Sequence, residues 1–181
     1  MADRVPADPQ PRTQTVRGRT IVIGLGNPLL GDDGVGWRVA DEVEERLSAI
    51  RQTGGCCPAV EVERLGVGGL RLMECLTGYD AAILVDAAEF IGRPLGEVRS
   101  CALEELDCYA AGHLDSAHDA SLVTALALGR RLGASLPTRI QTVTVQVRRT
   151  DVFSEQLTPE VEAAVPIAAA AVVGLLTAPE N

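Results

Sequence analysis

The sequence contains no lysine, and all 16 of its basic residues are arginine. That excludes the lysine of a phosphate-binding P-loop and any Schiff-base chemistry. Histidine occurs only twice, as His113 and His118, and aromatic residues make up 3% of the chain. The five cysteines, Cys56, Cys57, Cys75, Cys101 and Cys108, are odd in number and never two residues apart as in zinc or dithiol redox sites. They are expected to be reduced, mostly buried thiols of a cytoplasmic protein. Positive charge is in deficit, with a formal net charge of -9, which argues against a nucleic-acid partner. Long hydrophobic runs are lacking as well. The longest, "AAVPIAAAAVVGLL" at 163–176, falls short of the roughly 20 residues that span a bilayer and contains Pro166, so no membrane span is expected. Residues 1–19 hold three prolines and no apolar run, and they read as a tail, not a secretory signal.

What is present fits one core. A chain of 181 residues is long enough for a single well-buried domain, expected over 20–176, with 177–181 as a second tail. "TIVIGL" reads as a short strand, and Val35, Val39, Val43, Leu47 and Ile50 then recur at helical spacing. "AVEVERLGVGG" alternates like a half-buried strand before a short helix at "LRLMECL". "YDAAILVDAAE" is apolar up to Asp86, as in a central strand buried on both faces and ending at an acid. A weaker extended segment, "GEVRSCAL", precedes a loop and a helix on "DASLVTALALGRRLG" that Gly133 should stop. "TRIQTVTVQV" reads as the last strand. The final helix is expected to open with Thr158 as cap and Pro159 in its first turn, and to bend at Pro166. This alternation predicts an α/β fold, a three-layer α/β/α sandwich around a mainly parallel twisted sheet of about five strands.

The stretch "GLGNPLLGDDGVG", residues 24–36, joins a glycine-rich loop to two adjacent carboxylates. A dinucleotide fingerprint would need its third glycine at position 29, which is Leu29, and two aspartates at a helix mouth would repel a pyrophosphate. The loop therefore reads as presenting acid side chains. Either Asp32 or Asp33 could cap the helix that follows; giving the cap to Asp32 and function to Asp33 rests partly on a family resemblance of this stretch. In open α/β sheets, sites form beyond the carboxyl ends of the strands, so Asp32, Asp33 and Asp86 are all expected within reach of one crevice. His118, in the loop before the next helix, is the stronger imidazole candidate and His113 the weaker. Two acids and an imidazole make an oxygen/nitrogen site for a divalent metal whose identity composition leaves open. Gly66–Gly69 is a candidate for gripping a substrate chain as well as a plain turn. Trp37 is expected in the core.

"GLGNPLLGDDGVG" after a strand, "ILVDAAE", "SAHDASL" before a helix and "LTPEVEAAVP" near the C-terminus together resemble the nickel-iron hydrogenase maturation endopeptidases, from about Thr20 to about Leu176. The resemblance implies a phosphorylase/hydrolase-like fold and removal of a C-terminal extension from the hydrogenase large-subunit precursor after nickel insertion. It implies Asp33, Asp86 and His118 as metal-binding and catalytic residues, with the nickel carried by the precursor. No separate cofactor-binding residues are assigned, and a monomer or weak oligomer is expected. No Ser or Cys has an obvious paired base and no H-E-x-x-H helix is present, which disfavours a conventional nucleophilic protease. Two alternatives stand beside this reading: a noncatalytic nickel-binding chaperone, and a peptidase of the same fold with another protein substrate.

Overall fold

The computed structural model describes residues 18–54, 59–66, 69–105, 117–148 and 153–177. His113, Cys56, Cys57, Cys108, residues 67–68 of the glycine turn, and residues 1–17 and 178–181 of the tails expected at 1–19 and 177–181 lie outside them. The elements are β1 (Thr20–Leu25), α1 (Val35–Gln52), β2 (Val60–Leu65), α2 (Gly69–Leu76), β3 (Ala81–Ala88), β4 (Val98–Ala102), α3 (Ala117–Arg131), β5 (Arg139–Gln146) and α4 (Pro159–Thr177).

Five strands form one sheet in the order β2-β1-β3-β5-β4. The first three junctions are parallel, and β4 runs antiparallel on the edge beside β5. This is the expected mainly parallel sheet. Both faces are covered. Val22 of β1 joins Ile83 and Val85 of β3 beneath Val35, Val39, Val43 and Leu47 of α1 and the alanine-rich stripe of α4. Ile21 and Ile23 point the other way, against Leu72 and Leu76 of α2 and Leu122 and Leu126 of α3. The two-residue alternation of strand side chains thus divides β1 between two cores, which explains why all six of its residues are buried. Each fully buried Leu or Ile side chain stabilises by about 1.5–3 kcal/mol.

Several elements differ from their sequence reading. β3 continues past Asp86 to Ala88, because β5 runs beside it and pairs Asp86, Ala87 and Ala88 with Thr144, Val145 and Gln146. α3 begins at Ala117, so His118 belongs to its first turn, not to the preceding loop. It stops as expected: Gly133 has φ 81°, and the Ala134 amide reaches back to the Gly129 carbonyl at 2.9 Å. α4 starts at Pro159 and spans 19 residues, longer than the apolar run that sequence marks, and by length and composition it is apolar enough to cross a membrane. Here it is a core helix. Val161, Ala164, Ala168, Ala169, Val172 and Leu176 are buried, and the small side chains bring it close to α1. Pro166 sits inside it, with no amide to offer the Glu162 carbonyl. Cys75 and Cys101 are free and half-buried.

An exposed cluster ties edge strand β2 to the turn before β3. Glu61 accepts hydrogen bonds from the Tyr79 hydroxyl at 2.6 Å and the Arg19 guanidinium at 2.9 Å. These donors, Tyr79 first, hold the Glu61 carboxyl below its ordinary value. A depressed carboxylate stabilises the fold above its unfolded pKa, and that contribution is lost as pH falls through the folded value. Glu61→Gln should therefore lower the urea midpoint slightly at about pH 7 and match the wild type at about pH 3. An equal deficit at both values would show that the cluster acts by packing alone.

Candidate active site

β1 passes through α1 to β2 on one side, and the chain then crosses back so that β3 lies on the other side of β1. The junction of β1 and β3 is therefore the topological switch point, where open α/β sheets place their sites. β1 pairing to β3 ends at Gly24 opposite Val85, so Asp86 stands just beyond the last paired level, beside the end of β1. Asp86 is half-buried, and its Oδ1 accepts the Ala87 amide at 2.8 Å.

The loop after β1 closes tightly. Gly26 adopts φ 119°, a conformation that L side chains avoid, and any Cβ there would collide with the Asp33 carbonyl. The Asn27 side chain accepts the Leu29 amide at 3.0 Å, and the Leu30 amide bonds the Asn27 carbonyl at 3.0 Å. Gly31–Gly34 then forms a single 3-10 turn leading directly into α1. Gly24 and Gly36 let the first turn of α1 rest on the strand ends. A Cβ on Gly36 would overlap the Leu25 carbonyl oxygen and lie 2.6 Å from that of Val85.

Within that turn the two aspartates have different roles. Asp33 is half-buried, and its Oδ2 accepts the Asn27 amide at 2.7 Å. Its other oxygen takes no hydrogen bond from the described residues. Asp32 is buried and does not cap α1, whose N-cap is Gly34 with no side-chain bond. The sequence reading of Asp32 as the cap is thus corrected: its Oδ1 accepts the Thr158 amide at 2.7 Å and its Oδ2 the Thr158 hydroxyl at 3.0 Å. Thr158 still opens α4 through its carbonyl, which takes the Glu162 amide at 2.8 Å, while its hydroxyl is turned to Asp32.

α3 places the third candidate. Its far end turns at Gly133 into β5, where the Thr138 amide bonds the Asp80 carbonyl at 3.2 Å, at the starting edge of the sheet. Fifteen helical residues cover about 22 Å and the eight of β5 about 26 Å, so the first turn of α3, with the His118 backbone, lies toward the edge that carries Asp33 and Asp86. The His118 side chain lies outside the described residues, and among those described no three His, Cys, Asp or Glu groups converge on a metal-sized site.

Trp37 belongs to the rim and not to the core. It is half-buried, and its indole N–H donates to the Leu65 carbonyl at 3.3 Å, which also takes the Gly26 amide at 3.1 Å. Gly69, at φ 62°, opens α2. Sequence reasoning missed the partner of Asp32 and the Leu30–Ser154 bridge. The one local signal was a second aspartate that a single cap leaves without a task.

The model of the hydrogenase maturation protease family, HycI, matches residues 21–175. Among solved structures, the hydrogenase maturating endopeptidase HybD from E. coli superposes with a TM-score of 0.70 at 25% identity, over 87% of this chain and 91% of that one. The hydrogenase 2 maturation peptidase from a Thaumarchaeota archaeon gives 0.58 at 29% identity, over 87% and 97%. At 24% identity, the NiFe hydrogenase maturation protease HybD from Thermococcus kodakarensis shares the fold, with a TM-score of 0.63 over 87% and 99%. None of the curated proteins matches the sequence.

Proposed function

Since the chain belongs to the hydrogenase maturation protease family, we propose that it is the endopeptidase that removes the C-terminal extension of a nickel-iron hydrogenase large-subunit precursor once nickel is in place. The observation that carries this reading is the placement of two carboxylates at the switch point, Asp33 on the β1 loop and Asp86 on β3, with the first turn of α3 directed to the same edge. Two carboxylates and the His118 imidazole form an oxygen/nitrogen donor set suited to a borderline divalent ion such as nickel. In this reading the ion arrives with the precursor and is part of what is recognised.

Cleavage needs a water held against the scissile carbonyl and a group to take its proton. The Asp33 oxygen left over from the Asn27 bond is suited to that task, and general-base assistance contributes about 10²–10⁴-fold in rate. The proton then passes to the departing amine, and the two products separate as acid and amine. Asp86 and His118 orient the same centre from β3 and α3. We place this reaction in the cytoplasm, a setting that keeps thiols such as those of Cys75 and Cys101 reduced.

Nickel dependence is the discriminating property. Incubated with purified protein, nickel-loaded precursor should be shortened, while nickel-free precursor should remain intact, as read by intact mass. Equal cleavage of both would remove nickel recognition from the account. Metal binding without shortening of either would favour a noncatalytic chaperone.

A further inference from the structure

We infer that Asp32 is a positioning residue: by clasping Thr158 at the mouth of α4 it sets where the neighbouring Asp33 carboxylate stands over the switch-point crevice. The inference rests on the assignment of Asp33 given above and extends it to a part of the fold far away in sequence.

Asp32 is only 7% exposed, yet it carries an ionisable group, and both of its oxygens go to one residue 126 positions downstream. It caps neither the 3-10 turn nor α1. Around it, the Gly31 amide donates to the Ser154 carbonyl at 2.7 Å and the Ser154 amide to the Leu29 carbonyl at 3.0 Å. The segment before α4 is thereby stitched to the loop at three residues, Leu29, Gly31 and Asp32. Buried polar pairs add little net stability over an apolar pair of similar size, because desolvation offsets their attraction. What a two-pronged polar clasp does add is a single geometry. In a turn of three residues per revolution, adjacent side chains diverge by about 120°. Fixing Asp32 inward therefore directs Asp33 outward, where the Asn27 amide holds one of its oxygens.

Because the clasp works through geometry, conservative replacements should keep it. Asn at position 32 retains an acceptor for the Thr158 amide and offers a donor to the hydroxyl oxygen, and Ser at 158 retains both donors. The test is the steady-state cleavage of nickel-loaded precursor by the full chain, at a temperature well below the melting point of every variant compared. Asp32→Ala and Thr158→Val should each lower kcat by about 10–100-fold, as expected for a misplaced catalytic group. Asp32→Asn and Thr158→Ser should stay within about threefold, and the Asp32→Ala/Thr158→Val double variant should be no slower than either single one. If Asp32→Ala does not fold, the comparison of Thr158→Val with Thr158→Ser decides.

Folded Asp32→Ala or Thr158→Val with wild-type kcat would overturn the inference, as would an Asn variant as slow as the Ala variant. Asp33→Asn separates the positioning role of Asp32 from the catalytic role of Asp33. If it is inactive while folded Asp32→Ala is fully active, the positioning role alone falls; if it is active, the assignment of Asp33 falls and the inference with it.

Discussion

Asp33→Asn is expected to leave the protein folded and to lower cleavage of the nickel-loaded precursor by about 10²–10⁴-fold. The substitution is nearly isosteric. Its carbonyl oxygen can still accept the Asn27 amide, the bond that Asp33 Oδ2 makes at 2.7 Å, so the loop keeps its closure. What changes is the second position of the carboxylate, from an anionic acceptor to an NH₂ donor that neither holds a metal ion nor takes a proton from water. Stability should therefore move by less than about 1 kcal/mol, as for most partly exposed substitutions, while activity collapses. Kinetics and a urea melt on the same preparation separate the two effects. A variant that cleaves at the wild-type rate would remove Asp33 from the chemistry.

Gly36→Ala should be strongly destabilising, costing about 3 kcal/mol or more in unfolding free energy. Two effects oppose each other. In a helix interior, alanine is favoured over glycine by about 0.5–1 kcal/mol, so local propensity predicts a gain. The new Cβ, however, would overlap the Leu25 carbonyl oxygen and lie 2.6 Å from the Val85 carbonyl oxygen and 2.8 Å from the Leu25 amide nitrogen. All three are backbone atoms of the two central strands and cannot swing aside like a side-chain end, so α1 has to lift from the sheet. Overpacking against backbone wins by its magnitude, and the sign of the change tells the two apart. The midpoint of urea unfolding measures it, and a stabilised variant would mean that α1 does not rest on β1 and β3 as described. Because Asp33 is three residues upstream, a folded remnant of Gly36→Ala should also cleave poorly.

The parts legible in the sequence were those encoded by nearby residues. The alternation of β-branched runs with helical repeats announced the strands and helices, and the complete burial of β1 matches the unbroken "TIVIGL". The missing glycine at Leu29 and the paired acids separated this loop from a phosphate cradle, and the crowded approach at Gly24, Gly26 and Gly36 shows what its glycines are for. Most of the readings that failed depended on a partner distant in the chain. β3 outlasts Asp86 because β5 lies beside it, a pairing over more than fifty residues. Asp32 has the chemistry of a helix cap, and the nearest helix was the natural assignment; its real partner, Thr158, becomes its neighbour only when α4 packs on α1. For the same reason Thr158 looked like an ordinary cap, with nothing in its surroundings to show that its hydroxyl would be taken. Trp37 occupies an apolar-looking helix position, yet its indole N–H needs an acceptor, and the carbonyl of Leu65 at the rim supplies one. In the candidate site, Asp33 was legible from the strand that precedes it and Asp86 from the strand that carries it, whereas the start of α3 was read two residues late, which left His118 in a loop.

The activity proposed for this chain is hydrolysis of one peptide bond near the C-terminus of a nickel-loaded hydrogenase large-subunit precursor. Intact-mass measurement of that precursor before and after incubation with the wild-type protein tests it most directly. Two products are expected, a shortened large subunit and a released C-terminal peptide, whose masses sum to that of the precursor plus one water. A nickel-loaded precursor that keeps its full mass in the presence of folded protein would contradict it.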